Sequence, residues 1–189
     1  LSPSGAASRS SRARVELPAA LRDIHDGDTL ILWLRADDVA ALGPAKQVRI
    51  LASGLMAGLE TAPVPPAWRK AWLMTYPFDL PDARRARMSF PDLWLRRQGL
   101  PADHERIRST TWLTCEILED TLTAMLDAYR PEFLVERLQS MIGSRANSAY
   151  FPRLGLATGQ RFASKGGYWV RLKQDPRPAV EPVGAWETP

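Results

Sequence analysis

Apolar residues change their spacing along this chain of 189 residues, from short blocks in the first third, to three- and four-residue intervals in the middle, to alternation near the end. Leu17, Ala20, Leu21 and Ile24 stand at helical spacing until His25-Asp26-Gly27-Asp28 breaks the pattern. Thr29 to Leu34, TLILWL, is a continuous β-prone run of the kind buried on both faces of a parallel sheet. A short helix is predicted from Asp37 or Asp38 to Leu42, stopped by Gly43-Pro44, with the Asp37-Asp38 pair as its cap. Gln47 to Ala52 makes a second strand, ended by Ser53-Gly54. Strand, helix, strand implies a parallel βαβ unit.

Ser53 to Pro66 reads as a loop, because its proline cluster cannot sustain a helix or an inner strand. Lys70 to Tyr76 is a third strand, and Pro77 to Met88 a polar, exposed loop. Ser89 to Gln98 is predicted as a short helix with Pro91 in its first turn and Gly99 as its stop. The main helix runs from Asp103 to about Tyr129. Ile107, Thr111, Thr114, Cys115, Leu118, Leu122, Met125, Leu126 and Tyr129 form its apolar stripe, which is expected to face the core. Pro131 then opens another helix, with Leu134, Val135, Leu138, Met141 and Ile142 turned inward.

Near the end, Phe151 to Leu156 and Tyr168 to Leu172 are β-prone around a glycine-rich centre, which predicts a closing hairpin with a long loop. In its last strand Tyr168 and Val170 share one face, Trp169 and Arg171 the other. The fold class expected is α/β: a small, mostly parallel sheet flanked by helices and closed by a C-terminal β-hairpin. Its domain occupies residues 17–173, between a flexible Arg/Ser-rich leader (1–16) and a proline-rich tail (174–189) that wanders over the surface unless Trp186 anchors it.

Composition narrows the function. No apolar run is long enough to span a bilayer, so nothing in the sequence is transmembrane. Net charge is +4, from 25 basic and 21 acidic side chains, yet the arginines are scattered among acids and form no basic–aromatic stripe, which argues against nucleic acid. Two local excesses stand out: Arg9, Arg12 and Arg14 in the leader, and Arg153, Arg161, Lys165, Arg171 and Lys173 in a stretch without an acid. Either these are solvated surface or they dock on an acidic partner. The single Cys115 excludes an internal disulfide and a CxxCH haem attachment, and its helical setting predicts a buried thiol. The opening LSPSGAASRSSRARVEL has neither Met nor an apolar h-region, so a processed or truncated start is expected.

No catalytic constellation is visible. His25 and His104 lie on separate elements outside HxxxH or HExxH spacing, so no metal is expected, and no phosphate-loop, dinucleotide or nucleophile-elbow motif occurs. The chain is therefore read as non-enzymatic, with no cofactor. Trp72, Trp94 and Trp112 are expected in the core, whereas Trp33, Trp68 and Trp169 stand where an aromatic ring serves either core or cleft. Open α/β sheets bind small ligands outside the carboxyl ends of their strands, which selects Trp33, Arg35, Ser53, Gly54 and Tyr76.

Gln160 to Tyr168, QRFASKGGY, resembles the C-terminal signature of a branch of the type I periplasmic solute-binding proteins, the substrate-binding components of amino-acid and amide ABC importers, in which some members carry a cytochrome c segment. The resemblance continues through SGLMAGLE (Ser53 to Glu60), PPAWRKAWLMTYPFDLP (Pro65 to Pro81) and PEFLVERLQSM (Pro131 to Met141), covering roughly residues 20 to 172. It implies a periplasmic location, a second half of a two-lobed chain, a missing N-terminal lobe, and an ABC permease as partner. It also implies a carboxylate near a strand end to hold a ligand ammonium. Leu51 to Leu55 supplies none, and Glu60 is the nearest, which shifts the expectation from an amino acid toward an amide, urea-like or apolar ligand, or none. The alternative is an accessory subunit docked on a larger, acidic-faced complex such as a periplasmic cytochrome, through Arg161, Lys165, Tyr168, Trp169 and Arg171.

Overall fold

The computed structural model describes residues 21, 23–101, 103–126, 129–144, 150–173 and 179–188. The arginine-bearing leader lies outside these residues, as does most of the helix expected at Leu17 to Ile24; Leu21 and Ile24 themselves pack on the core. Five strands form one mixed sheet in the order β1 (Thr29–Leu32), β2 (Arg49–Ser53), β3 (Trp72–Tyr76), β4 (Tyr168–Leu172), β5 (Val180–Pro182). β1, β2 and β3 run parallel, and β4 and β5 add on antiparallel. The βαβ unit is present, with α1 (Ala36–Ala40) as its connection. Asp37 and Asp38 sit inside the first turn of α1, where they complement the helix dipole, and no side chain caps it.

Period-two alternation sorts the strands into two faces. Ile50, Ala52, Trp72, Met74, Tyr76, Val170, Leu172 and Val180 point inward and meet Val39, Ala57, Val64 and Trp68 in the core. Trp68 completes its burial by donating from Nε1 to the Gly43 carbonyl at 2.7 Å. The opposite face carries Ile31, Leu51, Leu73, Thr75, Trp169 and Arg171, and among the described residues no helix shields it at β1. The double burial expected for TLILWL is thereby corrected: Ile31 is 61% exposed and Trp33 70%, because β1 is the sheet's edge and has one covered face.

Two single-turn helices, α2 (Gly54–Ala57) and α3 (Pro66–Arg69), with a 3-10 turn at Leu59–Thr61, occupy the stretch expected to be loop. Proline is compatible with α3 because it stands at the first turn, where no N–H is required. For the same reason α4 (Pro81–Arg97) starts at Pro81 and takes in the segment expected as polar loop, so that Pro91 falls in the helix interior rather than its first turn. α5 (Glu105–Met125) packs against α6 (Pro131–Ile142) and against α4. Asp103, the expected start of this helix, lies outside it; His104 precedes α5 in a left-handed conformation, exposed.

The stripe assigned to α5 is also corrected. Its buried positions are Ser109, Leu113, Thr121 and Met125, with Ile117 beside them, while Ile107, Thr111, Thr114, Leu118, Leu122 and Leu126 are exposed. On α6, Ile142 is buried but Val135 stays exposed. Cys115 lies on the exposed side of α5, against the expected buried thiol. A water-soluble maleimide is accordingly expected to label Cys115 stoichiometrically in the native state; labelling that needs denaturant would contradict this placement.

The hairpin expected between Phe151 to Leu156 and Tyr168 to Leu172 is not made. Phe151 to Leu156 is irregular, since Pro152 cannot donate to a ladder, and Gly155 N–H reaches across its loop to the Ala163 carbonyl at 2.8 Å. β4 pairs instead with β3 and with β5, so the described part of the tail joins the sheet rather than wandering. Trp186 anchors it, packing edge-on against Tyr168 at 5.1 Å between ring centres.

Candidate functional site

β1, β2 and β3 end on the same side of the sheet, and the antiparallel β4 begins there. Ser53 pairs with Thr75 and Thr75 with Trp169, so one outward-facing row crosses these ends; Trp33, the residue after β1, stands at its outer limit. Trp33 and Arg35 are exposed, and Ser53 is half-buried at the entry of α2. Gly54 is buried against the end of β3. Its N–H reaches Thr75 Oγ1 at 3.4 Å, and a Cβ in its place would overlap the Thr75 carbonyl oxygen. Gly54 thus brings two strand ends together and offers no side of its own to a ligand.

Tyr76 is corrected from ligand contact to interior strut. Its ring is wholly buried, and its hydroxyl donates to Glu60 and accepts from Arg84. Arg84, from the second turn of α4, is the centre of this cluster. One guanidinium nitrogen reaches Glu60 at 2.6 Å and another the Asp79 carbonyl at 2.7 Å, while Nε approaches Glu105 of α5 at 3.4 Å. The guanidinium carbon also stands 4.3 Å from the centre of the Tyr150 ring. Burial by itself would raise the Glu60 carboxyl, but the hydrogen bonds from Tyr76 and Arg84, with the Arg84 charge, hold it below its usual range. Burial and the neighbouring Glu60 carboxylate push the Tyr76 hydroxyl far up, and burial pushes Tyr150 up to about 12. Glu60, the acid that follows β2 in sequence, is therefore committed to Arg84. The cluster ties sheet, α4 and α5 together.

A groove of about 480 Å³ opens at the end of β3 and β4, lined by Thr75, Pro77, Gly166, Gly167, Tyr168, Trp169, Glu187 and Thr188. A smaller hollow of about 290 Å³ lies between Phe78, Phe151 and the start of α5, with Arg106 in its wall. The residues expected at an acidic partner do not share a face. Trp169 and Arg171 point outward, Tyr168 packs inward toward the core, Arg161 is exposed in the preceding loop and Lys165 is half-buried. The strand-end rule found Ser53 beside the groove. It missed Thr75, because the residue sits within the expected strand, and Glu187, because the tail carries no strand-like alternation. Arg84 gave no signal in its run of arginines.

Among the described residues no group of His, Cys, Asp and Glu is arranged to hold a metal ion, and no helix is long and apolar enough to cross a membrane. No family model matches the chain, and no curated protein or solved structure matches it either.

Proposed function

We propose that the chain is one half of a two-lobed, non-catalytic solute-binding protein that serves an ABC importer in the periplasm and closes over a small polar solute. The observation that carries this reading is α5, which is apolar on two sides. One side packs on its own neighbours through Leu113, Ile117 and Met125, and the other exposes Ile107, Leu118, Leu122 and Leu126, at 61%, 49%, 40% and 73%. An apolar stripe left uncovered on a packed helix marks a surface for a second body. The exposed outward face at β1, with Ile31, calls for a cover in the same way. An N-terminal lobe laid on these surfaces would leave the strand ends with Trp33, Arg35, Ser53 and the Thr75–Trp169 groove facing a cleft.

The accessory-subunit reading draws on Arg153, Arg161, Arg171 and Lys173, all exposed, as a dock for an acidic partner. Native mass spectrometry of material isolated from its source separates the two. A second lobe, as a separate polypeptide or within a chain near twice 21.1 kDa, upholds solute binding; a larger salt-sensitive assembly without one sinks it. Leu118→Glu with Leu122→Glu is expected to change the stability of the isolated chain by less than about 0.5 kcal/mol, since both side chains are exposed. The same pair should weaken lobe association about tenfold or more, as read by titration calorimetry.

A further inference from the structure

The groove beside Trp169 is built by the tail, and its construction determines what it can hold. Gly167 and Glu187 form an isolated antiparallel bridge, each N–H donating to the other's carbonyl at 2.9 Å. Residues directly opposite in such a pair project to the same face, and Trp169, two residues from Gly167, projects to that face as well. The Glu187 carboxylate and the Trp169 indole therefore share one side of the sheet, with the missing side chain of Gly167 as the space between them. The gap is enforced from both ends. A Cβ at Gly167 would lie 3.1 Å from the Tyr76 carbonyl oxygen, and one at Gly166, which has φ +85°, would overlap the Glu187 carbonyl. Glycine at both positions keeps the tail close and the groove open.

Of the residues lining this groove, Glu187 alone carries a charge; Thr75 and Thr188 add hydroxyls, and Trp169 adds an aromatic surface that is half-buried. The volume of about 480 Å³ suits a molecule of metabolite size. An exposed carboxylate by itself is screened by salt, and an indole by itself accepts any apolar surface. Side by side they select a cation that also carries methyl or methylene groups. We propose that the groove binds a small organic cation, an ammonium or alkylated ammonium compound, with Glu187 as its counter-ion and Trp169 as its aromatic wall. This names a ligand class for the solute-binding reading and rests on that reading for its biological use.

The test titrates the full chain with tetramethylammonium and n-butylammonium chloride, against sodium acetate and acetamide at matched ionic strength. The indole N–H resonances are followed by NMR, with Trp169 assigned from Trp169→Phe. Both cations are expected to move the Trp169 resonance saturably while acetate and acetamide leave it in place. Glu187→Gln and Trp169→Ala should each weaken cation binding about tenfold. An unmoved Trp169 resonance overturns the proposal, as does an equal response to acetamide, which would leave binding of a neutral solute standing. Cation binding lost in Trp33→Ala but retained in Trp169→Ala would place the ligand at the end of β1 and overturn the assignment to this groove. Saturable binding by a chain isolated without a second lobe upholds the groove and sinks only the two-lobed reading.

Discussion

Arg84→Met is expected to destabilise the fold by about 3–5 kcal/mol, because it leaves an acid and a phenol buried without their cation. The Glu60 and Arg84 side chains retain 17% and 5% of their exposure, so water replaces little of what the substitution removes. Glu60→Gln together with Arg84→Met should recover part of the loss, since the stranded charge disappears with its partner. The pH dependence follows from the carboxyl. Its folded value is lowered from 4.5, so the unfolded chain binds the proton more tightly. The stabilisation from Glu60 is then fully present above about pH 4.5 and fades as pH falls through the lowered value. In Arg84→Met, burial remains without the cation, the carboxyl moves up instead, and acid should stabilise the variant relative to neutral pH. Denaturant unfolding at pH 7 and pH 4 checks both statements. A loss below about 1 kcal/mol at pH 7 would mean that the cluster behaves as an exposed ion pair.

Gly54→Ala is expected to cost about 3 kcal/mol, since the added methyl meets a main-chain oxygen that cannot rotate away. Relief requires β2 and β3 to separate where Ser53 pairs with Thr75, or α2 to shift at its first residue. Either movement also opens the floor of the strand-end row. Gly43→Ala is the matched control, because a Cβ there meets nothing within 4 Å. It should be neutral within about 1 kcal/mol. Equal denaturation midpoints for the two variants would remove Gly54 from its role as the contact between strand ends.

The first half of the fold could be read from the chain because its signals are local. TLILWL, QVRILA and KAWLMTY each hold enough β-branched or aromatic side chains to name a strand, and the short helix between the first two requires parallel pairing. The faces of β1 could not be read, because edge or centre is a property of the whole sheet. The inward side of α5 could not be read from periodicity, since 107/111/118/122, at intervals of four and seven, and 109/113/117/121, at intervals of four, both recur at helical spacing. Packing against α4 and α6 chose the second.

The candidate site divides the same way. Ser53 and Gly54 were legible because a strand ending in Ser-Gly marks where a parallel sheet opens. Tyr76 was legible as a position but not as a role, since its partners Glu60 and Arg84 come from 16 and 8 residues away on separate elements. Glu187 was not legible at all. It reaches Trp169 through an antiparallel bridge to Gly167, a contact 20 residues apart in sequence that carries no local signature. By itself the sequence determined the α/β class and the parallel β1 to β3. Only the tertiary structure decided which faces are covered, how Arg84 is neutralised and where the tail's carboxylate stands, because each depends on pairing between distant segments.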